Sequence, residues 1–99
     1  MKITTDEILK HFKKMKRVTP TVGDALLFIA TELAEASELV LAEKPYRRNH
    51  VKESYTPARF AEELGDIIYM CVIAGHVRGV DPLEAMRAKM ARQMERKEL

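Results

Sequence analysis

Apolar residues along this chain recur every three or four positions and never alternate with polar ones over a strand's length, which predicts helices and no sheet. A first amphipathic segment runs from about Thr5 to Arg17, with Ile8, Leu9, Phe12 and Met15 on one face. It ends in lysine and arginine, which complement a helix C-terminus, and Thr19-Pro20-Thr21 breaks it. Either Thr19 before Pro20, or Thr21 with Asp24 three residues on, caps a second helix that continues to about Lys44. Pro45 to Tyr55 has no apolar period and reads as a loop. Thr56-Pro57 opens a third helix that lasts to Arg78 and stops at Gly79, a residue free to turn left-handed. Asp81 at the cap and Glu84 three positions later open the fourth helix, which runs on to the last residues. The expected architecture is all-α, a bundle of four helices per chain completed by homo-oligomerisation. The second and third helices are long enough to pair as a hairpin, whereas the shorter first and fourth need a surface to lie on.

The acidic residues stand where this pattern asks for core. On the second helix Ala25, Phe28, Glu32, Glu35 and Leu39 follow at spacings of three and four, so two glutamates interrupt an apolar stripe and are expected to face inward. On the third, Glu63, Asp66, Met70, Ile73 and Val77 form such a stripe beside Phe60, Leu64, Ile67, Cys71 and Ala74. Four carboxylates converging from packed helices repel one another and lose hydration, at several kcal/mol per ion unless something neutralises them. A hard divalent cation does so. Mg²⁺ or Mn²⁺ takes oxygen ligands, and acids at i and i+3 sit on adjacent turns within reach of one ion. Glu32 with Glu35 and Glu63 with Asp66 are such pairs. The competing reading puts all four at a solvent boundary, paired with lysine or arginine.

Composition narrows the field. Ninety-nine residues, 46% hydrophobic and 32% charged, suit one domain spanning 1–99. No apolar run approaches the roughly 20 residues of a membrane span, and no signal peptide is evident, so the expected location is cytoplasmic. A single cysteine, Cys71 in an apolar run, excludes an internal disulfide framework and a cysteine zinc cage. The net charge of +2 conceals sorting along the chain. Residues 18–43 hold Asp24, Glu32, Glu35, Glu38 and Glu43 and no base, whereas residues 44–59 hold Lys44, Arg47, Arg48, Lys52 and Arg59 against Glu53. An acidic middle between basic segments argues against stable nucleic-acid binding and suits a metal ion shared with a phosphorylated small molecule.

Thr31-Glu32-Leu33-Ala34-Glu35-Ala36, followed after a basic loop by Phe60-Ala61-Glu62-Glu63-Leu64-Gly65-Asp66-Ile67-Ile68-Tyr69, resembles the E-x-x-E, spacer, E-x-x-D pattern of the MazG-like all-α nucleoside triphosphate pyrophosphohydrolases. The likeness extends from about Leu26 to Arg96, because Gly79-Val80-Asp81-Pro82-Leu83-Glu84-Ala85, Lys89 and Arg96 look like the family's closing helix. Gln93 departs from it, standing where the family usually has asparagine. The resemblance implies Mg²⁺-assisted hydrolysis of a nucleoside triphosphate to the monophosphate and pyrophosphate, in a homodimer or homotetramer. It makes Glu32, Glu35, Glu63 and Asp66 the metal ligands and suggests that Lys89 touches phosphate, from a neighbouring subunit.

A carboxylate not fully committed to the ion is needed to orient the attacking water. Glu38, one turn beyond Glu35, is the candidate base, with an ordinary solvated glutamate as the alternative, and Glu35 shares the catalytic assignment. Glu62 faces another side. The loop residues Lys44, Arg47, Arg48 and Asn49 are candidates for holding the substrate, as are Lys89 and Arg96, seven apart on one face of the last helix. His11 and His76 read as surface or boundary residues, and Tyr69 either bonds near the site or simply packs. Two rivals remain. A di-iron carboxylate protein would place histidine three residues after glutamate, where this chain has Glu35 and Asp66. A non-catalytic helical interaction module would use the acids for polar specificity and be indifferent to Mg²⁺.

Overall fold

The computed structural model describes residues 2–41 and 55–98, and all the regular structure among them is helical: α1 (Thr5–Lys14), α2 (Val22–Leu41), α3 (Pro57–Val77) and α4 (Pro82–Glu98). Each start is fixed by a short polar side chain that accepts from an amide left without an intrahelical partner. Thr4 Oγ1 accepts from Glu7 N–H at 3.2 Å, Thr21 Oγ1 from Asp24 N–H at 3.0 Å, and Thr56 Oγ1 from Arg59 N–H at 3.1 Å. Of the two caps the sequence offered for α2, Thr21 is the one used. Asp81 Oδ1 accepts from Leu83 N–H at 3.0 Å and Glu84 N–H at 3.3 Å, opening α4. Glu84 does not complete the expected capping box. Its carboxylate pairs with Arg87 Nη1 at 2.7 Å instead, one turn ahead on an exposed face.

α1 also ends earlier than its sequence suggests. Lys16 adopts a left-handed φ of 53°, so the chain leaves the helix after Lys14, and Met15 to Arg17 are not helical. At the end of α3 Gly79 has φ 69°, and its N–H reaches His76 O at 3.1 Å while Val80 N–H reaches Gly75 O at 2.8 Å. These crossed bonds satisfy the last carbonyls of the helix and fold the chain into α4. The turn depends on Gly75, because a Cβ there would lie 2.6 Å from Val80 O and 2.8 Å from Pro82 Cδ.

α3 is the hub on which α2, α1 and α4 each pack. Ile8, Val72 and Ile73 are buried together, with Leu9, Phe12, Tyr69, Met70 and Leu83 around them. Burying side chains of this size contributes about 1.5–3 kcal/mol each. His11 Nδ1 lies 2.9 Å from Tyr69 Oη with the rings edge to face, which joins α1 to α3 and accounts for Tyr69 by contact with α1. α2 turns Ala25, Glu32, Ala36 and Leu39 inward. Phe28 and Glu35, expected in the same stripe, are exposed. The small Ala25 and Ala36 let the α2 backbone come close to α3, and a helix seated on that line carries positions 28 and 35 to its flank.

α4 has no buried residue among those described, and its first-turn Leu83 is what packs on the core. Met86, Met90 and Met94 are all more than half exposed. The Cα radius of gyration is 16.7 Å, against about 13 Å for a compact chain of this length. The four helices expected are present, but they are grouped around α3 instead of closing a bundle within one chain. No helix among the described residues is long and apolar enough to cross a membrane.

Gly75→Ala is expected to destabilise the protein by about 1–3 kcal/mol in urea unfolding, because the obstructing atom is backbone. Asp81 responds to pH. The hydrogen bond from Thr5 holds its carboxyl below the ordinary 3.8; desolvation opposes this, and the Glu84 and Leu83 amides and the Arg87 charge reinforce it. A depressed folded value means that its contribution is present above the unfolded pKa and lost as pH falls through the folded one. Asp81→Asn should therefore lower the Tm at neutral pH and flatten its fall on acidification below about pH 4.

Candidate metal centre

Glu32 is 8% exposed, the one charged side chain buried among the described residues. It is there because the inward line of α2 passes through it between Ala25 and Ala36. α3 brings Glu63, half-buried, and Asp66, exposed, to the same place. One carboxylate oxygen from each of Glu32, Glu63 and Asp66 lies within 4.8 Å of the other two. Glu63 Oε2 is buried with no hydrogen-bond partner. The pKa of Glu63 is raised above the usual 4.5, first because its protonated form can donate to Glu32, then by burial and the charges of Glu32 and Asp66; Glu35 opposes this. The physical content is an excess of acceptor oxygens over donors. Such a group takes up a proton or a cation.

Oxygens at 2.0–2.1 Å from an octahedral ion stand about 4.2 Å apart across it, so the separation and the all-oxygen chemistry fit a hard divalent cation. The orphaned Glu63 oxygen fits it as well, since coordination would replace its missing partner. Glu35 lies on the exposed flank of α2, outside this set of three but close enough to Glu63 to favour its ionised form. Glu38 is exposed further along α2, and Glu62 is exposed on α3 as expected. Lys89 and Arg96 are exposed on α4. Lys44, Arg47, Arg48 and Asn49 lie outside the described residues. What the sequence did not show is the gradient from buried Glu32 through Glu63 to open Asp66, since all three interrupt apolar stripes alike.

The phosphoribosyl-ATP pyrophosphohydrolase family matches residues 11–94, a stretch that contains the whole carboxylate set. The chain belongs to this family. The family lies within the MazG-like all-α superfamily, so the resemblance carried by the E-x-x-E and E-x-x-D motifs is borne out. The protein is accordingly a pyrophosphohydrolase, a hydrolase acting on phosphoric anhydrides, and the readings as a di-iron protein or a non-catalytic module fall away. Its family is typically metal-dependent, in keeping with the donor set. No curated protein and no solved structure matches the chain.

Metal-free protein should gain stability from Mg²⁺ or Mn²⁺, about 2.7 kcal/mol at a hundredfold excess of ion over Kd, read as a rise in Tm. Glu63→Gln, which removes one charge and supplies a donor, should raise the Tm without metal and abolish the rise with it. The contribution of Glu63 to the metal-free fold is full below the unfolded value near 4.5 and is lost as pH rises through the higher folded value, whereas metal binding strengthens over that same interval because the proton competes with the ion.

Proposed function

We propose that the protein is a Mg²⁺-dependent nucleoside triphosphate pyrophosphohydrolase that converts a ribo- or deoxyribonucleoside triphosphate to its monophosphate and pyrophosphate, with Mn²⁺ as a substitute ion. The observation that carries this reading is the convergence of Glu32, Glu63 and Asp66 around a buried carboxylate oxygen without a partner, in a chain of a pyrophosphohydrolase family. Glu32, Glu35, Glu63 and Asp66 hold the cation. When bound, it neutralises charge on phosphate oxygens that four carboxylates would otherwise repel.

Water adds to phosphorus at the anhydride between the α- and β-phosphates, the bridging bond breaks, and pyrophosphate leaves. The proton lost by the water goes to a carboxylate. Glu38 takes that role, assisted by Glu35: both are exposed on α2 just beyond Glu32 and so open to solvent. Lys44, Arg47, Arg48 and Asn49 bind phosphates and base from the segment that follows α2. Lys89 and Arg96 serve phosphate from α4, across a subunit boundary. A homodimer or homotetramer is supported by the apolar side chains left open on α2 and α3, among them Leu26, Leu27, Leu33 and Ile68, each more than half exposed. The reading keeps residues 1–99 as one domain acting in the cytoplasm.

A panel of canonical and modified nucleoside triphosphates, with phosphoribosyl-ATP included because the family carries that name, tests the class by product identity. Monophosphate and pyrophosphate are expected with Mg²⁺, and neither with chelator. Glu35→Gln, Glu38→Gln and Asp66→Asn should each lower kcat by about a hundredfold or more. Full turnover in the Glu35 and Asp66 variants would defeat the assignment, and light scattering that returns a monomer would remove the oligomer.

A further inference from the structure

A groove of about 510 Å³ runs between α1 and the end of α3, and it shares no residue with the carboxylate centre. Leu9 and Phe12, which pack on the core cluster, also line the groove, giving it an apolar floor. Lys10, Lys13 and Arg17 stand around it with His76 of α3, against one acid, Asp6. Among the described residues none of these three cations has an ion-pair partner. The left-handed turn at Lys16 redirects the chain after α1, and Arg17 returns to line the groove, close enough for its charge to act on Tyr69.

Complementing the C-terminus of α1 does not account for this. That end carries about half a negative charge, which one lysine offsets, whereas three cations gather here and leave an excess of positive charge over an apolar surface. The volume lies within the roughly 300–1,000 Å³ of small-molecule sites, and an apolar floor under a few charged groups is how such sites are built. The groove also draws on Asp6, Leu9 and Lys10, which precede the stretch matched by the family.

We infer that this groove is a second ligand site, independent of the hydrolytic centre, which takes a small phosphate ester with an apolar or aromatic body. The body lies on Leu9 and Phe12, and Lys10, Lys13 and Arg17 hold the phosphate. Such contacts weaken as ionic strength rises.

The test is an amide NMR titration of the full chain with adenosine monophosphate, in chelator so that the carboxylate centre holds no ion. Saturable shifts are expected at Lys10, Lys13, Arg17 and His76, and they should persist in Glu63→Gln. The double variant Lys13→Gln, Arg17→Gln changes only exposed side chains and should keep its Tm while losing affinity about tenfold or more. Lys10→Gln, made alone, should weaken binding as well if the double variant proves unstable. Inorganic phosphate should bind more weakly than the nucleotide because it does not use the floor. Shifts confined to the surroundings of Glu32, Glu63 and Asp66, undiminished affinity in the variants, or equal binding of inorganic phosphate would each overturn the inference.

Discussion

Mutual repulsion among the carboxylates of Glu32, Glu63 and Asp66 is the constraint around which the rest of the molecule is arranged. Two like charges near 4 Å repel by about 4 kcal/mol at the effective dielectric of a protein surface, more than an exposed ion pair such as Glu84 with Arg87 returns, which is 1 kcal/mol or so at most. Packing has to hold the helices together against that force. Val72 and Ile73 on α3, and Ala25, Ala36 and Leu39 on α2, are all buried, and α2 packs along α3 more extensively than α1 or α4 does. The fold thereby keeps an arrangement that is poor for stability and suited to gripping a cation.

Helix starts were legible in the sequence because capping is local chemistry. Thr56-Pro57 and Asp81-Pro82 each combine an acceptor with a ring that fits the first turn, and both act as expected. Helix phase was not legible. Positions 28 and 29 differ by 100° of rotation, and the sequence of α2 alone does not say which of them meets α3. That choice was made by Ala25 and Ala36, whose small size matters only once a second helix is near, and it carried Glu35 to the flank while leaving Glu32 inside. Lys16 was unreadable for a related reason: nothing in a lysine announces a left-handed backbone. Three of the four motif acids, Glu32, Glu63 and Asp66, still come together, while Glu35 stands outside that set.

α3 serves several neighbours with different parts of its length. Its first half carries Glu63 and Asp66 beside α2, its middle buries Val72 and Ile73, and its end carries His76 and the turn that launches α4. α1 is fastened to it by apolar contact and by His11 against Tyr69. The carboxylate set spans α2 and α3, whereas the cations of the groove stand on and just after α1, where α3 contributes His76. α4 stands apart from this economy, since its methionines have no counterpart within the described residues of the same chain.

Thr5 Oγ1 donates to Asp81 Oδ1 at 2.8 Å, across 76 positions of sequence. The same oxygen that receives the opening amides of the last helix therefore also receives the opening residue of the first. Opening either helix start strips one hydrogen bond from the other, so a single exposed contact worth about 1 kcal/mol couples two beginnings that almost the entire polypeptide separates.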